Sequence, residues 1–521
     1  MTRTVPQQLR AVVLALIGVL ALTTVAYLFF SSAGFSPRKL PDKGYHNRLA
    51  DGFLHGQLHI LEAPSAALLA QKDPYDFQTS RHLWRIWDAS LYEGKYYLYW
   101  GPLPAVLAAG AKLVAGATVF VGDRSLALVF VLGRLFVGTA ILALVLRSMF
   151  PALSLWQLLP AVLLWGLANP TPYLLGRPGV YEVAIEAGQF FLLLGLLTGL
   201  VAVRGCSTRA RELRLLAATG SSWALAIGCR VSLLFAVAAL GLLTVLAASS
   251  AKPRAWREVA VRAIVLGAPL AGMLFALGLY NNARFGSFFD FGTDYMLTRH
   301  HFSPQASFVL PNLHSYLFRR FTVSCEFPFL AAPFFAHTLT PAWVVTPGSG
   351  WVPQEPVVGL FVAIPALPFA AVALGAALKR ARRDPAKVTD GTRDVVCSWL
   401  VASCAVIWLF AAVPTLGVWT STMRYLSDVT PSALILAITG FWVLLATAQK
   451  RGTRSVAAAL NVLGAILVVY TVTVGLALGL QGGYYRAIKA HNPSLHEKLV
   501  QAFSLCEGST DRKPPAKAKA R

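Results

Sequence analysis

AVVLALIGVLALTTVAYLFF, residues Ala11–Phe30, carries no charged side chain. It matches the roughly 20 residues that a helix needs to cross about 30 Å of hydrocarbon. Its reading decides the class of the whole chain, because comparable apolar runs recur as far as residue 480. Backbone groups in lipid must be satisfied within their own segment, so each run is expected as a helix. Composition agrees: 56% hydrophobic and 13% charged residues, with a mean hydropathy of +0.59 over 521 residues, cannot give a soluble globule a polar exterior. Short β-strand periodicity is absent. The expected fold is therefore all-α, a polytopic transmembrane helix bundle. Arg3 and Arg10 precede the first run, but no small-residue cleavage site follows it, so it is expected as a retained span.

The net charge of +23 is not spread as a nucleic-acid footprint. Lys and Arg cluster in short connections at 204–214, 252–262, 379–387 with Arg393, and 450–454, which the positive-inside rule places in the cytoplasm. Spans compatible with that bias are 11–30, 124–147, 152–168, 185–203, 214–229, 231–248, 262–282, 356–378, 395–413, 429–447 and 455–480. These eleven put the N-terminus inside. The apolar segment 103–121 would invert the later loops if it crossed, and Pro102, Pro104 and Lys112 suit an interfacial helix. The expected organisation is a membrane domain over 1–480, with outward loops at 31–123 and 281–355, and an outward tail over 481–521 whose Lys, Pro and Ala-rich end is disordered.

The polar residues that could do chemistry fall in the outward connections. The first loop holds Trp87-Asp88-Ala89-Ser90-Leu91-Tyr92-Glu93-Gly94-Lys95-Tyr96-Tyr97-Leu98-Tyr99-Trp100-Gly101-Pro102, a carboxylate, a cation and an aromatic wall. Tyr96, Tyr97 and Trp100 are candidate substrate contacts, since such rings enclose sugars and also populate bilayer interfaces. Asp42 and Asp51 have solvated or capping roles as their ordinary alternative. Next come Arg177, Glu182 and Glu186, then Arg230 between two short spans, Asp290 in an aromatic stretch, and Arg424 in Met423-Arg424-Tyr425-Leu426-Ser427-Asp428. Acids opening a helix suit its dipole, yet an ionisable group such as Glu186 inside the apolar zone is costly and usually functional. Outward arginines are candidates for a lipid phosphate, with nearby carboxylates as the alternative partners. His55 and His59 have i, i+4 spacing but no intervening Glu of the zincin type, and the six cysteines show no CxxC pair. No metal ligand set, disulfide framework or nucleotide-binding loop is read.

Together these segments resemble the polytopic GT-C glycosyltransferases, especially the bacterial protein O-mannosyltransferase and aminoarabinose-transferase relatives. The motifs that carry the likeness are Tyr-Glu-Gly-Lys-Tyr-Tyr-Leu-Tyr-Trp-Gly-Pro-Leu-Pro over 92–104, Arg-Pro-Gly-Val-Tyr-Glu over 177–182 and Arg-Tyr-Leu-Ser-Asp over 424–428. The resemblance implies a bacterial cytoplasmic-membrane enzyme with an outward active site. It also implies a polyprenyl-phosphate-linked sugar donor, an acceptor glycan, lipid or protein, and a first-loop carboxylate as general base. Asp42 and Asp51 match that carboxylate by position, and Asp88 matches by motif. No Asp-Glu or Asp-Xaa-Asp pair follows the first span, which leaves a divalent metal requirement open. An acceptor hydroxyl needs a base and a departing phosphate needs cations. Asp88 is the candidate for the first role and Lys95 for the second, with Arg177, Arg230 and Arg424 assisting. The competing readings are a transporter or flippase of lipid-linked sugars, which would put ionisable groups near mid-membrane, and a non-catalytic assembly subunit.

Overall fold

In the computed structural model, residues 5–176, 178–250, 255–297, 304–335, 339–382, 391–482 and 487–506 are described. The first apolar run becomes α1 (Val5–Ser31), and its exposed Leu14, Ile17 and Leu22 form a lipid-facing surface. Among the described residues, eight helices are long and apolar enough to cross a bilayer. The chain is a multi-pass helical membrane protein. Of the eleven expected spans, 152–168 and 356–378 take other forms, and the helix that covers 214–229 is not among the eight.

After α1 the first loop builds four helices: α2 (Tyr45–Leu54), α3 (Ala66–Leu69), α4 (Phe77–Ser80) and α5 (Leu103–Ala115). Between α4 and α5 lies a hairpin of β1 (Ser90–Tyr92) and β2 (Lys95–Tyr97). Its turn residues Glu93 and Gly94 have φ of 48° and 69°, the left-handed pair that a tight two-residue hairpin requires. This hairpin and a second short one farther along the chain are small additions to a fold that is helical as expected. Helix α5 has 13 residues, about 20 Å of rise, too short to cross, and exposes Leu113 and Val114.

α6 (Asp123–Met149) returns the chain toward the basic end. The expected span 152–168 is a 3-10 turn followed by ten-residue α7 (Leu158–Leu167), continued by α8 (Thr171–Leu175). α9 (Val180–Val203), α10 (Arg209–Cys229), α11 (Leu234–Ser250) and α12 (Trp256–Phe285) follow as antiparallel neighbours. A long connection then contributes α13 (Val309–Phe318), β3 (Thr322–Val323) and β4 (Leu330–Ala331). Span 356–378 is broken into α14 (Leu360–Ala363) and α15 (Phe369–Ala381), because Pro365 and Pro368 cannot continue a helix. The breaks themselves are buried in protein, at Ala168 and Asn169 and at Ile364, Ala366 and Leu367, where irregular backbone at membrane depth is tolerated.

α16 (Gly391–Leu416), α17 (Leu426–Lys450) and α18 (Arg454–Gln481) complete the bundle, and α19 (Ala487–His491) and α20 (Pro493–Phe503) follow at the end opposite the basic connections. There Ser36 bonds His491 and a disulfide joins Cys325 to Cys506. No disulfide is expected from the sequence: these two are 181 residues apart, a separation that spacing motifs do not register, while Cys206, Cys229, Cys397 and Cys404 are free thiols. The end of the tail, expected to be disordered, lies outside the described residues.

Candidate active site

The first loop is fixed by an exchange of caps. Asp42 accepts hydrogen bonds from the Gly44, Asp123 and Arg124 amides, covering the start of α6 at 2.9 to 3.1 Å. In return Asp123 accepts from the Tyr45 and His46 amides at the start of α2. Asp51 meets the Nζ of Lys112 at 2.8 Å, and that buried ammonium also donates to Asn47 Oδ1 and Val119 O. Farther along, Gly101 lies so close to α10 that a Cβ there would stand 2.2 Å from the Gly228 carbonyl oxygen. These contacts draw the segment 87–102 across the end of the bundle.

Under it is a cavity of about 1080 Å³, lined from the first loop, the ends of α9, α10, α12 and α16, and the turn into α17. Every one of these helix ends is opposite the basic connections. Asp88 lies on its wall with φ of 62°, a conformation a non-glycine residue adopts only when its surroundings over-determine it. Its neighbours on the chain are tied down: Ser90 Oγ donates to Gly292 O at 2.6 Å and Leu297 N to Ala89 O at 3.1 Å. The Tyr181 hydroxyl donates to Asp88 Oδ1 at 2.7 Å. With that proton committed, the Tyr99 hydroxyl 3.0 Å away acts as donor to Tyr181. Burial, reinforced by the charge of Asp88, holds the Tyr99 phenol well above the usual tyrosine range, so it stays a donor.

Cations stand behind this carboxylate. The Arg424 guanidinium stacks over the Tyr181 ring at 4.4 Å and pairs with Glu355 at 2.9 Å. Arg230 pairs with Asp428 at 2.9 Å and donates to Ser232. Tyr425 lies between the two guanidinium groups, 5.8 Å from Arg230 and 5.4 Å from Arg424. Carboxylates thus aim both forks, which fit the paired oxygens of a phosphate.

The cavity gathers Asp88, Trp100, Arg230, Asp290 and Arg424 from the sequence candidates. Asp290 also turns its own loop, accepting from Gly292 N and the Tyr295 hydroxyl. The others lie elsewhere. Lys95 is exposed at the start of β2, outside the cavity lining, which has Lys43 instead. Tyr96 is fully buried in a small core beneath the hairpin, and Tyr97 packs on Phe285 and His59. Glu182 is buried in the first turn of α9, and Glu186 pairs inside the bundle with Arg134 at 2.9 Å. Arg177 lies outside the described residues. His55 and His59 do not share a helix, since α2 ends at Leu54, and among the described residues no three His, Cys, Asp or Glu side chains are grouped to hold a metal ion. Glu355, Tyr181 and Tyr425 were not singled out, although the last two sit inside motifs quoted for their Glu and Arg.

Asp42 and Asp51 are bound up in structure, so their loss should cost stability before activity. Asp51→Asn, which leaves the buried Lys112 ammonium with neutral acceptors only, is expected to lower stability by about 1–3 kcal/mol. Thermal unfolding of the purified protein measures this; a variant as stable as wild type but inactive would return Asp51 to the reaction.

No family model and no curated protein matches the sequence. Solved structures do: the chain is similar to the oligosaccharyltransferase of Archaeoglobus fulgidus in its apo form, at 13% identity and a TM-score of 0.45 over 89% of this chain. It is likewise similar to that archaeal enzyme, AglB, in complex with an inhibitory peptide and a dolichol-phosphate, at 14% identity and a TM-score of 0.46. The chain spans about half the length of these archaeal chains, 56% in each case. ArnT from Cupriavidus metallidurans bound to undecaprenyl phosphate is similar at 13% identity and a TM-score of 0.41, with 93% of this chain and 79% of that one covered.

Proposed function

We propose that this chain is a membrane glycosyltransferase that moves a sugar from a polyprenyl-phosphate donor to a glycan, lipid or protein acceptor outside the cytoplasm. One observation carries the reading: a single cavity joins Asp88, fixed by Tyr181, to two carboxylate-aimed arginines, Arg230 and Arg424. A proton acceptor and a phosphate clamp are the two things glycosyl transfer from a lipid phosphate needs. Asp88 takes the proton of the acceptor hydroxyl as its oxygen attacks the anomeric carbon. The bond from that carbon to the phosphate oxygen breaks, its electron pair leaves with the polyprenyl phosphate, and the arginines stabilise the added charge. The prenyl chain stays in the bilayer, which concentrates the donor at the cavity without a nucleotide site.

The side of the membrane follows from charge. The basic connections mark the cytoplasmic end in a bacterial cytoplasmic membrane, with the N-terminus inside, so the cavity faces outward. The Cys325–Cys506 disulfide supports this, since it lies at the cavity end and disulfides persist in oxidising compartments. The GT-C resemblance of the three motifs points the same way.

Gently extracted protein should carry polyprenyl phosphate or its sugar adduct, detected by native mass spectrometry. An Arg230→Ala, Arg424→Ala double variant should carry far less. Repeated absence of such lipids from active-looking, monodisperse wild type would remove the reading.

A further inference from the structure

The fork of Arg424 is already in use. Residues 346–359 form a strap without helix or strand that brings Gln354 and Glu355 to the cavity wall and buries Trp351, Val357 and Val358. Val352 N donates to Trp419 O at 3.1 Å, the Thr420 hydroxyl donates to Val352 O at 2.7 Å, and Gly359 N donates to Arg319 O. Trp351 Nε1 donates to Asn312 Oδ1 at 2.9 Å and Arg319 Nη1 to Glu355 O at 3.5 Å, while the Glu355 side chain ties the strap to the cavity. That carboxylate lines the cavity, accepts from Arg424 Nη1 at 2.9 and 3.2 Å, and accepts from the Thr422 hydroxyl at 2.6 Å. Among the described residues Arg424 Nε, although buried, has no hydrogen-bond partner. The strap therefore uses only part of a fork that a phosphate would fill from two sides.

We infer that Glu355 is an internal place-holder for the donor phosphate: the Arg424–Thr422 site holds the strap carboxylate when empty and the lipid phosphate when loaded. The inference rests on the proposed donor and adds the exchange. A carboxylate and a phosphate are rival acceptors for one guanidinium, and two anions side by side on it would repel, so loading releases the strap. The release has a measurable consequence. A ligand that binds only the open form has its affinity divided by the fraction of open molecules, so a strap closed nine-tenths of the time costs about tenfold.

Glu355→Gln keeps the size of the side chain and an acceptor for Thr422 but removes the charge that holds Arg424. Full-length protein in detergent, titrated with farnesyl phosphate as a short-chain probe, should bind about tenfold more tightly in this variant. Hydrogen exchange of the amides in 346–359 should be faster in the empty variant than in empty wild type. Saturating probe should speed the same amides in wild type, a readout that holds even if the variant folds poorly. Farnesyl phosphate that binds wild type without changing strap exchange, or binds Glu355→Gln equally or more weakly, overturns the place-holder and leaves the donor reading intact. Failure of both proteins to bind the probe removes the donor reading and the place-holder with it.

Discussion

Asp88→Asn is expected to abolish sugar transfer, with kcat/KM falling about 10²–10⁴-fold, the range a positioned general base contributes. The substitution changes little else. Asn tolerates the left-handed φ of 62° better than most residues, and its carbonyl oxygen still accepts the Tyr181 hydroxyl. Thermal unfolding should therefore match wild type, and polyprenyl phosphate should still co-purify, because Arg230 and Arg424 are untouched. What is lost is the proton acceptor alone. Assay with native membranes as the source of donor and acceptor would measure the effect; transfer at the wild-type rate would sink the general-base role. Asp42→Asn and Asp51→Asn are the controls, since both side chains face backbone amides or Lys112 and not the cavity.

Much of this molecule can be read before folding, and the limits have a physical cause. Apolar runs announce helices because bilayer thickness sets their length, whatever they pack against. Basic connections likewise announce their end of the bundle. The choice among Asp42, Asp51 and Asp88 is different, because each is decided by a partner far along the chain. Asp42 is 82 residues from the Arg124 amide it caps, and Asp88 is 93 from Tyr181. Glu355 lies 69 residues from Arg424, in a stretch without periodicity, and no local pattern marks it. The hairpin was legible: Glu93-Gly94 between Tyr-rich flanks is a tight-turn signal, and reading it would have sent Lys95 to the solvent side. Broken spans were legible too, from Pro365 and Pro368.

Glu186→Ala should do the opposite of Asp88→Asn, damaging the fold with no chemistry involved. Glu186 is 1% exposed on α9, and Arg134 on α6 meets it at 2.9 Å. The Ser427 hydroxyl donates to its Oε1 at 2.6 Å, while Arg134 also donates to Ser427 and to Thr171. This network fastens α6, α8, α9 and α17 to one another below the cavity. Removing Glu186 leaves a guanidinium in the bundle without a counter-ion, and breaking a buried pair from one side costs about 3–5 kcal/mol. That approaches the whole stability of many folded domains. A large fall in Tm and aggregation on size-exclusion chromatography are expected. Replacing both partners, Arg134→Met with Glu186→Leu, removes the stranded charge and should recover most of the Tm, because buried pairs exchanged for apolar groups of similar volume are often neutral. The recovered double variant should also transfer sugar, since neither residue lines the cavity. A stable Glu186→Ala protein with only a raised KM would instead make Glu186 a substrate contact. The two acids therefore part by where each lies: Asp88 lines the cavity, and α9 presents Glu186 to a neighbouring helix.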